Sequence, residues 1–169
     1  MERILIVGCP GSGKSTLARK LAGKLNLPLV HLDSLFWLPG WVERDRDTFD
    51  SLVRQELAKP KWIIDGNYSR TMEERLRFCD TVIFLDFSSY ACVRGVLQRV
   101  LSSRGKVRSD MGAGCPERFD WDFIQYVWQF NRTQRGKLLS RLEAADPSVR
   151  KIVLCNRRQV EDFLRSLGE

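Results

Sequence analysis

Residues 8–16 read GCPGSGKST, at the end of the apolar run RILIVG (3–8) and at the start of a helical pattern over 14–25. Gly8, Gly13, Lys14 and Ser15 fill the spacing G-x-x-x-x-G-K-[ST]. A strand that stops at a glycine-rich turn and continues as a helix is the context this spacing requires. Glycines there let the backbone come close to an anion. Successive N–H groups, backed by the helix N-terminus, then cradle it. The expected ligand is a nucleotide polyphosphate held by Gly8, Pro10, Gly11, Ser12, Gly13, Lys14, Ser15 and Thr16. Lys14 is expected to reach the β- and γ-phosphates, Ser15 to bind Mg²⁺ through its hydroxyl, and Thr16 to touch the α-phosphate.

Five short apolar runs are rich in β-branched residues and nearly continuous: 3–8, LPLVHLD (27–33), KWIIDG (61–66), DTVIFLDF (80–87) and RKIVLC (150–155). Runs of this kind read as strands covered on both faces, as in a parallel sheet. Helical patterns occupy 14–25, 46–58, 89–104, 120–143 and 157–167. Strand and helix alternate, which predicts an α/β fold with right-handed crossovers. No repeat, low-complexity stretch or linker divides the 169 residues, so a single domain over 1–169 is expected. SSRGKVRSDMGAGCPERFD (102–120) breaks the rhythm between two long helices, and an inserted lid is expected at about 104–119.

Composition narrows the partners. No apolar run approaches the ~20 residues of a membrane span, and MERILIV does not resemble a secretory signal. A cytoplasmic protein is expected. Five scattered cysteines without C-x-x-C read as buried or free thiols. The net charge of +7 is lopsided: residues 94–169 hold 15 of the 28 basic and 9 of the 21 acidic side chains. No block of consecutive Lys/Arg occurs, so a nucleic-acid partner is left open without being required. The expected partner is a small-molecule or nucleotide acceptor, and the chain is expected to be a monomer or weak dimer.

Three predicted strands end in aspartate, where ligands collect in open parallel sheets. Asp65 is the metal candidate, acting through water. Asp33 is the substrate-side candidate, as base or as orienting group. Asp86 reads as a cap or turn residue. His31 lies two residues before Asp33 and could support it. Phe36, Trp37 and Trp41 are able to stack on a ring or to wall the core.

GCPGSGKST, HLDSLFWLPGW, WIIDGNYSRT and RSDMGAGCPERFDWDFIQYVWQFNRTQR together resemble the bacterial family of DNA topology modulation proteins. That family looks like adenylate kinase and its nucleoside-monophosphate and shikimate kinase relatives. The resemblance implies a three-layer P-loop NTPase: a five-stranded parallel sheet in the order 2-3-1-4-5, helices on both faces and a short helical lid. It implies ATP and Mg²⁺ as cofactors and γ-phosphoryl transfer to an acceptor bound after strand 2. Asp33, Phe36, Trp37, Gly66, Asn67 and Arg70 fall on the acceptor side. Arg99 falls at the start of the lid. Arg132 and Arg135 fall after it, three apart on one predicted helix. Asn156 and Arg157 fall where relatives contact adenine. The expected catalytic set is Lys14, Asp33, Arg99, Arg132 and Arg135; Arg94 on the helix entering the lid, and Arg104, Lys106 and Arg108 at or in it, are cations that closure would bring over the phosphates. HLDSLFWLPGW does not resemble an AMP site, so the acceptor stays open. The alternative is a nucleotide-dependent regulator that contacts nucleic acid or protein without kinase activity.

Overall fold

The computed structural model describes residues 1–103, 105, 107 and 109–168. Five parallel strands, β1 (Arg3–Gly8), β2 (Leu29–His31), β5 (Trp62–Asp65), β6 (Thr81–Leu85) and β7 (Arg150–Leu154), form one sheet in the order β2-β5-β1-β6-β7. Counted among themselves these strands stand 2-3-1-4-5. The labels jump because a two-stranded hairpin, β3 (Trp37–Leu38) and β4 (Val42–Glu43), follows β2.

Side chains alternate across a strand, and this alternation splits the core in two. Ile4, Ile6, Ile63, Ile83 and Leu85 pack on one face with α1 (Lys14–Leu25), α5 (Ser89–Ser103), α6 (Trp121–Thr133) and α8 (Arg157–Ser166). Leu5, Val7, Trp62, Ile64, Val82 and Phe84 pack on the other with α3 (Arg46–Leu57), α4 (Met72–Phe78) and α7 (Arg135–Ala144). The inner strands are buried on both faces, which is why their sequences show no alternation.

Three expectations needed correction. Asp33 does not end a strand. β2 has a single neighbour, β5, and the ladder stops at the pair His31–Asp65. With no partner beyond it, the chain turns into a short helix, α2 (Leu32–Phe36), with Asp33 in its first turn. Second, the helical pattern 120–143 breaks at Gln134 into α6 and α7. α6 buries Ile124, Val127 and Phe130 in one core and α7 buries Leu138 and Leu142 in the other, so no straight helix could serve both. Third, the described residues between α5 and α6 form turns and a bridge between Val107 and Pro116, without the helix expected of the lid. Arg104, Lys106 and Arg108 lie outside the described residues.

Candidate functional site

The phosphate loop stands where the sheet is most buried. Gly11 has φ +83° and sits against α5 so closely that a Cβ would lie 2.2 Å from the Cys92 carbonyl oxygen. Gly13, at φ +96°, is the N-cap of α1 and gives it no side-chain cap; no acidic residue occupies the first turn. The positive end of this helix is therefore left to the loop and to whatever anion the loop holds. Lys14 Nζ donates to the carbonyls of Gly8 (2.9 Å) and Cys9 (3.0 Å), which places its charge across the loop. Ser12 is buried, and its hydroxyl has no hydrogen-bond partner among the described residues.

The neighbouring strand end is wired to this loop. Asn67 accepts from the Gly8 N–H at 3.0 Å and donates to the Gly8 carbonyl at 2.8 Å. Asp65, buried at the end of β5, lies 2.9 Å from His31 Nδ1. The sequence sets His31 beside Asp33; the β2–β5 register instead brings it to Asp65. Arg75 falls in no sequence motif. It is fully buried and donates to the carbonyls of Gly66 and Tyr68 at 2.8 Å each, and to those of Asn67 and Thr71. Burial pulls its guanidinium pKa down to about 9, which leaves it charged at neutral pH. Four backbone oxygens thus replace the carboxylate a buried cation usually needs. The available signal was its position: Arg75 falls among Met72, Leu76 and Cys79 on the apolar face of α4.

On the side where the sequence reading expects an acceptor, the Tyr68 hydroxyl donates to Asp33 at 2.7 Å. Burial and the Asp33 carboxylate push the Tyr68 phenol well above its ordinary range, so it remains a donor. Trp37 and Trp41 meet edge to face at 5.5 Å. The Arg118 guanidinium lies 5.3 Å from the centre of the Trp41 ring. Phe36 instead packs on Phe49 and Tyr68, as part of the wall beneath α3. Arg70 turns away to Asp50 (2.8 Å) and Asp47 (3.7 Å), acids in the first turns of α3.

A cavity of about 920 Å³ joins these parts. Pro10 to Thr16 line it from the loop; Asp65, Gly66, Asn67 and Tyr68 from the β5 end; Asp33, Trp37 and Trp41 from the α2–hairpin segment. Arg99 lines it from α5 and Arg157 from α8. Gly8, Phe36, Arg70, Arg132, Arg135 and Asn156 are not in the lining. Arg132 is exposed on the last turn of α6. Arg135 begins α7 and grips Asp86 with two hydrogen bonds of 2.7 Å, so the two arginines sit on different helices. Asn156 spends its side chain capping α8, accepting from the Gln159 N–H.

The segment over the cavity is fastened on two sides. Arg99 pairs with Glu117 at 3.2 Å, and Arg19 lies 4.0 Å from Asp110. Gly40 N–H donates to Gly114, and the Cys115 thiol to Leu38. The span from Asp110 to Arg118 is thereby joined to the hairpin. Ser15, Asp33 and Asp65 supply hard oxygen donors to one cavity. Among the described residues, no three or more acidic, His or Cys side chains gather to hold a metal ion. That donor set fits a cation such as Mg²⁺, which keeps waters and takes phosphate oxygens with one or two carboxylates.

Comparisons agree with this geometry. Residues 4–86 match the ATPase family associated with various cellular activities (AAA). A shikimate kinase from Acinetobacter baumannii, solved in complex with shikimate, superposes with a TM-score of 0.64 at 15% identity, covering 99% of this chain and 91% of that one. A shikimate kinase from Bacteroides thetaiotaomicron gives 0.55 at 21% identity, covering 99% and 96%. The fold is a kinase-like P-loop fold. No curated protein sequence matches the chain. No described helix is long and apolar enough to cross a membrane.

Proposed function

We propose that the chain is an ATP-dependent phosphotransferase acting on a small-molecule or nucleotide hydroxyl. One observation carries the reading. The uncapped α1 N-terminus with Lys14, and the Asp33–Tyr68 pair, open into the same cavity, with room for a nucleotide and an acceptor together. In this reading the loop amides and Lys14 hold the triphosphate, and Arg157 borders the base. Ser15 and, through water, Asp65 hold Mg²⁺, whose chemistry is to neutralise charge on the β- and γ-phosphates. Asp33 orients the acceptor hydroxyl and takes its proton. The hydroxyl oxygen bonds to the γ-phosphorus as the bond to the bridging oxygen breaks, and ADP leaves with that electron pair. Arg99, in the cavity lining, stabilises the transferring group once it parts from Glu117. Arg132 and Arg135 enter only through a rearrangement that frees Arg135 from Asp86. The lid at 104–119 and a cytoplasmic, monomeric or weakly dimeric enzyme complete the proposal.

The test is Lys14→Ala. Calorimetry with Mg·ATP should lose its heat, and ADP release across a panel of hydroxylated metabolites should stop. Unchanged binding in that variant would remove the loop from the account.

A second reading rests on a different observation. Trp121, Trp128 and Arg132 are exposed at positions i, i+7 and i+11 of α6, so they share a face outside the cavity. An aromatic and basic face suits a nucleotide-dependent regulator that contacts nucleic acid, in line with the resemblance to topology modulation proteins. DNA affinity that falls steeply with salt, with only slow ATP hydrolysis, would favour it.

A further inference from the structure

The acceptor end carries features that phosphate binding does not require. Among the described residues, Asn26, Trp41 and Tyr68 are the non-glycine residues with φ in the left-handed region, at +51°, +63° and +31°. Asn26 ends α1, where that conformation is ordinary. Trp41 and Tyr68 are bulky aromatics, for which it is strained, and both line the cavity. Both rings thus line one chamber from strained backbone positions. The Trp41 Nε1–H is buried and has no hydrogen-bond partner among the described residues.

Charge at this end comes from an unexpected position. Arg70, the residue the resemblance places on the acceptor, is engaged by Asp50 and Asp47 and is absent from the lining. Arg118 lines the cavity, lies over Trp41, and makes no ion pair among the described residues. A guanidinium lying over an indole still has N–H groups to offer an anion.

We propose that Trp41, Tyr68 and Arg118 select an acceptor with a planar ring, an anionic substituent and a hydroxyl group. The ring packs against Trp37 and Trp41, and Arg118 binds the carboxylate or phosphate. The hydroxyl is turned to Asp33, and transfer balances as described above, its proton passing to Asp33 and then to water. This rests on the phosphotransferase reading for the hydroxyl and on the cavity alone for the ring and the anion.

The experiment measures acceptor binding apart from turnover. The full chain with Mg·ADP is titrated by calorimetry with 3-hydroxybenzoate against 3-hydroxybenzamide, AMP against adenosine, and glycerol 3-phosphate as an anion without a ring. At least one ring anion should bind about tenfold tighter than its neutral partner and than glycerol 3-phosphate, the difference a charge-assisted contact supplies. The benzoate and AMP arms decide between carboxylate and phosphate. Arg118→Gln, an exposed change whose folding is checked by melting temperature, should erase the preference. Trp41→Ala, which removes the ring from the lining, should weaken ring binding several-fold. Equal binding of anion and neutral partner, no ring-anion binding at millimolar concentration, or an unaltered preference in Arg118→Gln overturns the proposal. ³¹P NMR of γ-phosphate transfer separates the two readings. Transfer to open-chain alcohols without ring preference keeps the kinase and removes the specificity. Ring-anion binding with no transfer to any hydroxyl keeps the specificity and removes the kinase.

Discussion

At the scale of the residue, burial decides what each polar group can do. Arg75 is tied to four carbonyls in the segment that carries Gly66, Asn67 and Tyr68. Arg75→Met strands those oxygens in the core and should cost about 2–4 kcal/mol. For a chain of this size that lowers the melting temperature by roughly 5–15 °C; a variant melting within about 2 °C of wild type would show that the clamp contributes nothing. Tyr68 gives a pH signature. Its phenol is raised above the ordinary value of 10.0 by burial and by Asp33. The folded state therefore keeps a proton that the unfolded chain gives up. That stability is fully present below about pH 10 and is lost as pH rises beyond it. Denaturant melts from pH 8 to 11 should show the loss, and Tyr68→Phe should flatten it. Among the cysteines, Cys9, Cys79, Cys92 and Cys115 are buried and Cys155 is exposed. Iodoacetamide should label the native protein at Cys155 alone, and peptide mass spectrometry reads the site directly.

At the scale of the element, the phosphate loop and α5 form one packed unit. A Cβ on Gly95 would lie 2.1 Å from the Gly11 carbonyl oxygen. Gly95→Ala gains about 1 kcal/mol in helix propensity. It also drives the loop off the helix, so the melting temperature should fall and Mg·ATP affinity with it. Gly23 in α1 is the control, because a Cβ there meets nothing within 4 Å. Gly23→Ala should stabilise by roughly 0.5–1 kcal/mol. If both variants melt alike, the close approach of loop and helix has no energetic weight. Apolar spacing made α1 and α3 readable, α1 with its expected bounds and α3 ending one residue early, but gave no sign of α2 or α4. The break at Gln134 was not readable. Apolar periodicity runs through it, and only the separate cores of α6 and α7 require it.

At the scale of the whole molecule, the cavity is bordered by two pieces of chain that are distant in sequence. The 37–43 hairpin and the span 109–118 share the bonds Gly40–Gly114 and Cys115–Leu38, and a Cβ on Gly112 would lie 2.0 Å from the Trp37 carbonyl oxygen. They should respond together: a Mg·ATP analogue should slow amide exchange in both segments. Protection of one without the other would show that they move independently. Saturating nucleotide at a hundredfold over Kd should add about 2.7 kcal/mol to global stability, read as a rise of roughly 5–10 °C in melting temperature.

The phosphate loop, the parallel sheet and the helix that follows the loop were written in consecutive residues. Local spacing suffices there, because the motif's glycines, its lysine and the first turn of α1 are covalent neighbours. The arginines were different. Sequence marks a cation but not the carboxylate it will meet. Arg70 meets Asp50, Arg135 meets Asp86 and Arg99 meets Glu117, at separations of 20, 49 and 18 residues along the chain. Arg75 and Arg118, which the motif pattern passed over, take their positions from burial and from a ring 77 residues away. An ion pair or a stacked ring forms where the fold brings its members within a few ångströms. Which charges face the cavity was therefore settled only when the sheet, the hairpin and the segment above them came together.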